Sequence, residues 1–198
     1  QIPKVFLDTS SLVSPDELNG DLLLMESRNS VRNITAHLLE KGCTLPGFMG
    51  DIGYAQSNRE RYEGFCQALM DAGKTPNPSL CLTTPLGIDS YREEIDSFLS
   101  SLSRMPDAFV CASDYVACIL MQLLEKRGLR VPEDVAVSGF DNNIEDLLAE
   151  NLTTVQVFNE ELGSRLALQI LYRIKYPHTP HEVTYLESKV LYRASTGD

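Results

Sequence analysis

The chain has 198 residues, 43% of them apolar, enough for one good core or for two small lobes sharing a cleft. Its 28 acidic residues outnumber 17 basic ones, giving a net charge of −11. A duplex-binding surface neutralises phosphates with Lys and Arg, so this composition argues against DNA binding by the segment itself.

The longest apolar stretch, residues 116–124, is interrupted by Gln122 and falls far short of the roughly 20 residues that a membrane span requires. No basic and then apolar leader is visible, and no membrane partner is expected. The five cysteines (Cys43, Cys66, Cys81, Cys111 and Cys118) share no C-x-x-C spacing. They read as free thiols behaving as small hydrophobes in a reducing cytoplasm.

In chain order, residues 4–7 read as a strand. The abrupt opening at Gln1-Ile2-Pro3 leads to the expectation of further sequence upstream. Val31, Ile34, Leu38 and Leu39 fall at helical spacing, and Gly42 closes the pattern. Residues 45–50 form the next strand, with Pro46 marking its start or an edge. Ser57-Asn58-Arg59-Glu60 has the form of a capping box, opening a helix that turns Tyr62, Phe65 and Leu69 inward and ends at Gly73.

Residues 79–83 read as a strand, after which Asp89 or Ser90 caps a helix carrying Ile95, Phe98, Leu99 and Leu102. Residues 108–112 are a buried strand. Ser113 or Asp114 then caps a helix through Val116, Leu120, Leu123 and Leu124, closed by Gly128. Pro132-Glu133-Asp134 turns the chain into a strand over 135–140, and 153–157 supplies another. Asn159 caps a helix through Leu162, Leu166, Ile170 and Ile174; Pro177 and Pro180 break it, and 183–193 is the last extended segment.

This alternation of strand and helix, with strand ends near Gly50, Leu82, Ala112 and Phe140, predicts an α/β fold with a doubly wound parallel sheet. Ligands in such sheets bind beyond the carboxyl ends of the strands. That rule selects Asp8, Tyr54, Arg59 and Arg61, then Ser113, Asp114 and Tyr115, then Asp141, Asn142 and Asn143. Carboxylates accept from hydroxyls and Arg donates from a fixed fork, a lining suited to a polar, hydroxyl-rich or heterocyclic molecule. Each residue also has a plainer role. Ser113 and Asp114 are good N-caps, Asp141 could cap a following helix, Arg61 could pair with Glu60 or Glu63 in solvent, and Asp8 could form a turn.

Enzyme signatures are absent: there is no nucleophile elbow and no phosphate loop. His37 lies on an apolar helix, and His178 and His181 lie in a Pro-rich turn that reads as solvated rather than metal-binding. No cofactor and no metal are expected.

Ser138-Gly139-Phe140-Asp141-Asn142, preceded by Gly128-Leu129-Arg130-Val131-Pro132-Glu133-Asp134-Val135, resembles a passage of the LacI/GalR (lactose-repressor) family of transcriptional regulators. Leu152-Thr153-Thr154-Val155 with Glu161-Leu162-Gly163, the run from Ser57 to Phe65, Ile2 to Asp8, and Leu191 to Thr196 are similar to other family passages in the same order.

The resemblance implies a fold like the type I periplasmic binding proteins, in which two lobes of parallel sheet hold an effector between them. Residues 24–155 with 186–198 would form the far lobe. Residues 1–23 with 156–185 would be the remnant of an incomplete near lobe with an exposed sheet edge. The family's effector contacts map onto Asp8, Arg61 and Asp141, with Ser113 and Asp114 at a further contact position and Tyr54 or Tyr115 as candidate stacking aromatics. The resemblance further implies a cytoplasmic homodimer that senses a sugar-like or nucleobase-like effector and reaches operator DNA only through a headpiece absent here. Arg61→Ala and Asp141→Ala are each expected to abolish the ligand response with little change in the apo melting point. A periplasmic sugar-binding transport protein and an α/β enzyme using Asp141 or Asp114 as a base are the alternatives.

Overall fold

The computed structural model describes residues 2–87, 89–142 and 150–198; Asn143, among the candidate loop residues, lies outside them. Two parallel sheets organise it. The first has the order β1-β2-β8, from Val5–Leu7 (β1), Asp21–Met25 (β2) and Val183–Leu186 (β8). The second has the order β4-β3-β5-β6, from Pro46–Met49 (β3), Cys81–Leu82 (β4), Ala108–Cys111 (β5) and Ala136–Ser138 (β6). A third, antiparallel pair joins Thr154–Gln156 (β7) to Lys189–Leu191 (β9). It lies against the second sheet, with the Gly139 and Asp141 amides donating to the Thr153 and Val155 carbonyls.

Strand alternation gives the second sheet two faces. Phe48 and Val110 point toward helices Arg28–Glu40 (α1) and Gln56–Asp71 (α2), meeting Val31, Ile34, Leu38, Phe65 and Leu69. Met49, Phe109 and Cys111 point the other way. They meet Ile95 and Leu99 of Tyr91–Ser101 (α3) and Leu120, Leu123 and Leu124 of Asp114–Lys126 (α4). Burial on both faces explains the apolar runs at these strands. The α1–α2 contact depends on Gly64, because a Cβ there would stand 2.1 Å from the Arg28 carbonyl oxygen.

The central strand of the first sheet, β2, is buried on both faces, Leu22 and Leu24 alternating with Leu23 and Met25. Leu23 and Met25 meet Leu162 and Leu166 of helix Asn159–Lys175 (α5), while Leu168, Leu171 and Ile174 on its opposite side stay exposed. Among the described residues, β1 and β8 each pair on one side only.

A buried ionic cluster joins α5 to β2. Arg173 forks onto Asp21, Gln169 donates to the same carboxylate, and the Glu182 amide donates to it across 2.9 Å. Burial, the largest influence, opposes ionisation of Asp21, but these hydrogen bonds together hold its carboxyl below the usual range.

The structure corrects several local expectations. The capping box does not form: Ala55 stands at the N-cap of α2, and Ser57 lies inside the helix. Residues 79 and 80 belong to a 3₁₀ turn, Pro78–Leu80, in which Asn77 Oδ1 accepts from the Ser79 amide, so the strand shortens to two residues. The extended segment 183–193 breaks into β8 and β9, which pair in different sheets. Pro46 does begin its strand, and Ser113 is the N-cap of α4, accepting from the Val116 amide at 3.3 Å.

Candidate functional site

Three non-glycine residues among those described have left-handed φ: Asp8 (58°), Asp141 (105°) and Asn142 (49°). Asp8 follows β1, and the other two follow β6 beyond Ser138. Asp and Asn tolerate this conformation better than most residues, and clustering of such backbone at strand ends marks candidate functional positions.

These strand ends meet at the first turns of α2. Asp8 Oδ2 accepts from Ser57 Oγ at 2.5 Å, and Oδ1 accepts from the Thr9 amide. The Gln56 amide donates to the Thr9 carbonyl at 2.8 Å, so the loop after β1 supplies what the N-cap Ala55 cannot. Ser11 Oγ donates to the Gly53 carbonyl, and Tyr185 of β8 donates its hydroxyl to Glu60 at 2.8 Å. The unit containing the first sheet is thus tied to the unit containing the second along one side of α2.

One turn beyond Ser57, Arg61 is almost fully buried. Its guanidinium lies 3.6 Å over the Phe140 ring, donates to the Ala112 carbonyl and to Asn58 Oδ1, and stands 3.5 Å from Asp141 Oδ1. Its Nε is a buried donor with no hydrogen-bond partner. Burial pulls the Arg61 pKa down, opposed by the nearby charges of Asp141, Asp8, Asp114 and Glu60. Asp141 shows the converse: burial pushes its carboxyl up and Arg61 opposes the rise. Its side chain remains 43% exposed. Asp141 also lines a cavity of about 340 Å³ together with Asn142, Gln156, Val157 and Asn159.

The structure therefore brings Asp8, Arg61 and Asp141 together and sets other candidates apart. Asp114 is buried and accepts from Thr154 Oγ1 at 2.6 Å, tying α4 to β7. A Cβ on Gly139 would stand 2.2 Å from its Oδ1, so the chain after β6 requires glycine there. Ser113 is occupied as a cap. Tyr54 and Tyr115 are exposed, Tyr115 packing edge-to-face on Tyr91 at 5.5 Å. Arg59 is not among the cavity-lining groups around Asp141.

Sequence reasoning missed Ser57, Asn58, Glu60, Tyr185 and Gln156 as parts of this arrangement. The first three were visible only as helix-start chemistry, and the others carried no local signal. Among the described residues, no three His, Cys, Asp or Glu side chains converge to hold a metal ion, and no helix is long and apolar enough to cross a membrane.

Two sheets joined by crossing segments, with strand ends from both facing the same helix, define a ligand-binding class of α/β protein. Residues 35–196 match the periplasmic binding protein-like domain, and the chain belongs to that family.

It is 28% identical to the HTH-type transcriptional repressor PurR of Aliivibrio salmonicida over 98% of its own length and 57% of the relative's. Among solved structures, a LacI-family transcriptional regulator from Sanguibacter keddieii superposes with a TM-score of 0.84 at 26% identity, covering 99% of this chain and 72% of that one. The transcriptional regulator CelR in complex with cellobiose gives 0.84 at 26%, covering 96% and 58%. The chain thus spans somewhat more than half the length of the curated relatives it matches. All three are named as transcriptional regulators, that of Sanguibacter keddieii as one of the LacI family.

Proposed function

We propose that this chain is the effector-sensing domain of a LacI-type transcriptional regulator, taking a small polar ligand of sugar or nucleobase type into the cleft between two lobes. The observation that carries this reading is the meeting of Asp8, from the first sheet, with Arg61 and Asp141, from the second, on one helix. Asp141 is the direct ligand contact, offering a half-exposed carboxylate to the cavity. Arg61, buried behind it, orients that carboxylate, and Asp8 contributes from the opposite side of the cleft. Ser113 caps α4 and Asp114 holds Thr154, so both serve the frame of the site, while the exposed Tyr54 and Tyr115 lie outside its cavity. The cellobiose complex of CelR favours a sugar.

In this reading the lobes are 24–155 with 186–198 and 1–23 with 156–185. The sheet pairing carries β2 to Met25 and β8 to Leu186, a residue or two past those divisions. The net charge of −11 argues against duplex binding by this chain itself; our reading gives operator binding to a helix-turn-helix segment of the full-length protein, as in the name of the HTH-type relative, working as a cytoplasmic homodimer.

The test is calorimetric titration of hexoses, pentoses, disaccharides, nucleobases and nucleosides into the wild type and Asp141→Asn. Binding that weakens at least about tenfold in the variant, as loss of a charge-assisted hydrogen bond requires, upholds the reading. Equal binding in both proteins removes Asp141 from the site.

A further inference from the structure

Three segments cross between the first sheet with α5 and the second sheet: residues 26–27, 157–158 and 187–188. Two of them are tied to each other. Ser188 donates its hydroxyl to the Glu26 carbonyl at 2.8 Å and meets Ser30 Oγ at 2.7 Å. Neither of these lines the cavity at Asp141, whereas Gln156, Val157 and Asn159 do. The crossing after β7 is therefore the one that forms a wall of the space an effector would fill.

Asn142 holds that wall. Its Nδ2 donates to Gln156 Oε1, and its Oδ1 accepts at 2.8 Å from Arg193, which follows β9. Gln156 Nε2 in turn donates to the Val157 carbonyl at 2.7 Å. A continuous run of hydrogen bonds thus leads from the residue beside Asp141 to the start of the crossing. The backbone is fixed at the same point. The Asn142 amide donates to Thr154 Oγ1 at 3.2 Å, and Thr154 donates to Asp114 of α4. Asp141 and Asn142 both have left-handed φ, a conformation that persists where its surroundings determine it. Beyond the crossing, Leu162 and Leu166 of α5 pack against Leu23 and Met25, so a turn of residues 157–158 is passed to the first sheet.

We infer that Asn142 is the positioning residue that couples occupancy of the cavity at Asp141 to the 157–158 crossing, and through it to the setting of one lobe against the other. This rests on the sensor reading above and assigns its conformational response to one side chain. Both polar atoms of that side chain are engaged within the protein, so Asn142 acts on a ligand through Asp141. Coupling between sites is carried by packed elements and hydrogen-bond networks that have two arrangements. A ligand shifts such an equilibrium only by the difference in its affinity for the two. That difference arises at this wall, because Gln156 and Val157 change place relative to Asp141 when the lobes turn.

The test pairs calorimetric titration with small-angle scattering, using glucose, cellobiose, ribose, adenine and guanosine as probes. The proteins are the wild type, Asn142→Gly, Gln156→Leu and the double variant. Glycine takes positive φ without strain, so Asn142→Gly removes the side-chain bonds and leaves the backbone its conformation. A probe that binds the wild type should change its radius of gyration. In each single variant the same probe should still bind, within about tenfold of wild type, while the change in radius falls below about half. The double variant should lose no more affinity than the weaker single one, because both substitutions break the same bond. Without any probe, Asn142→Gly should speed amide hydrogen exchange in β7 and β9 by at least about tenfold and leave β3 and β5 as they are.

An equal change of radius in the wild type and both single variants overturns the coupling and leaves the sensor reading standing. Affinity losses that multiply in the double variant, or exchange in β7 and β9 that is unaltered by Asn142→Gly, overturn it in the same way. A probe that binds the wild type without any change of radius does so too. Failure of all five probes to bind the wild type overturns both.

Discussion

Ser57 donates its hydroxyl to Asp8 across 2.5 Å, and this bond joins α2 of the second unit to the strand end of the first. The residue that looked like half of a capping box spends its hydroxyl on a partner 49 positions away. The helix start is closed instead by the Thr9 carbonyl, which accepts from the Gln56 amide and is delivered by tertiary contact.

The bond predicts a change in shape. Ser57→Ala should lower the apo melting temperature by a few degrees, the effect of roughly 1–2 kcal/mol in a domain of this size. It should also raise the radius of gyration in small-angle scattering, because one of four ties along α2 is gone. A variant as compact as the wild type would show that the tie does not hold the units together.

Arg61 and Asp141 should separate in their effects. Arg61 is buried on Phe140 and satisfies the Ala112 carbonyl, so Arg61→Ala leaves a void and an unpaired acceptor. We expect a loss of about 2–4 kcal/mol in urea unfolding, in place of the near-neutral effect expected from sequence. Asp141→Asn, at a half-exposed side chain, should cost less than about 1 kcal/mol and act on binding. Equal stability losses would place the two residues in one structural role.

The raised pKa of Asp141 gives ligand binding a pH dependence. If the ionised carboxylate accepts from the ligand, affinity should fall as the pH drops toward that raised value, earlier than an ordinary carboxylate would impose. Asp141→Asn should flatten the profile. A profile of unchanged shape in the variant assigns the titration to another group.

Asp21 works with the opposite sign. Its folded pKa lies below its unfolded value, so its contribution to stability is fully present above the unfolded carboxyl pKa of about 3.9 and is lost as the pH falls through the lower folded value. Arg173→Met leaves the buried carboxylate without its main partner and should cost about 3–5 kcal/mol at neutral pH. The difference from wild type should shrink in acid. A constant difference down to the acid limit would exclude the ion pair as its source.

The thiols should be inert in the folded chain. None of the five forms a disulfide; burial and then the Asp107 carboxylate push the Cys43 thiol well up, while burial raises Cys66, lifts Cys81 to about 11 and raises Cys111 strongly. A thiol-exchange reagent at mildly alkaline pH should modify these four slowly before unfolding and react with all five in guanidinium. Rapid modification of Cys43 in the folded protein would contradict its contact with Asp107.

Much of the fold was legible because its signals are local. Strands buried on both faces must be apolar throughout, which exposed β3 and β5, and helices with one buried stripe must repeat at helical spacing, which exposed α1, α3 and α4. Gly42, Gly73 and Gly128 adopt the positive φ that ends their helices. Pro46 begins β3 for the same kind of reason, a backbone restriction carried by the residue itself.

What sequence could not decide is which polar group answers which. Asp114 and Asp141 are both acids just beyond a strand end, yet one is buried against Thr154 and the other half-open beside Arg61. The 183–193 segment reads as one strand, but its halves pair with β2 and β7 in separate sheets. Periodicity and turn chemistry are properties of neighbouring residues and survive in the bare chain. Hydrogen bonds between side chains 49 or 125 positions apart, such as Asp8 with Ser57 or Glu60 with Tyr185, exist only once packing has fixed both ends and excluded water from between them.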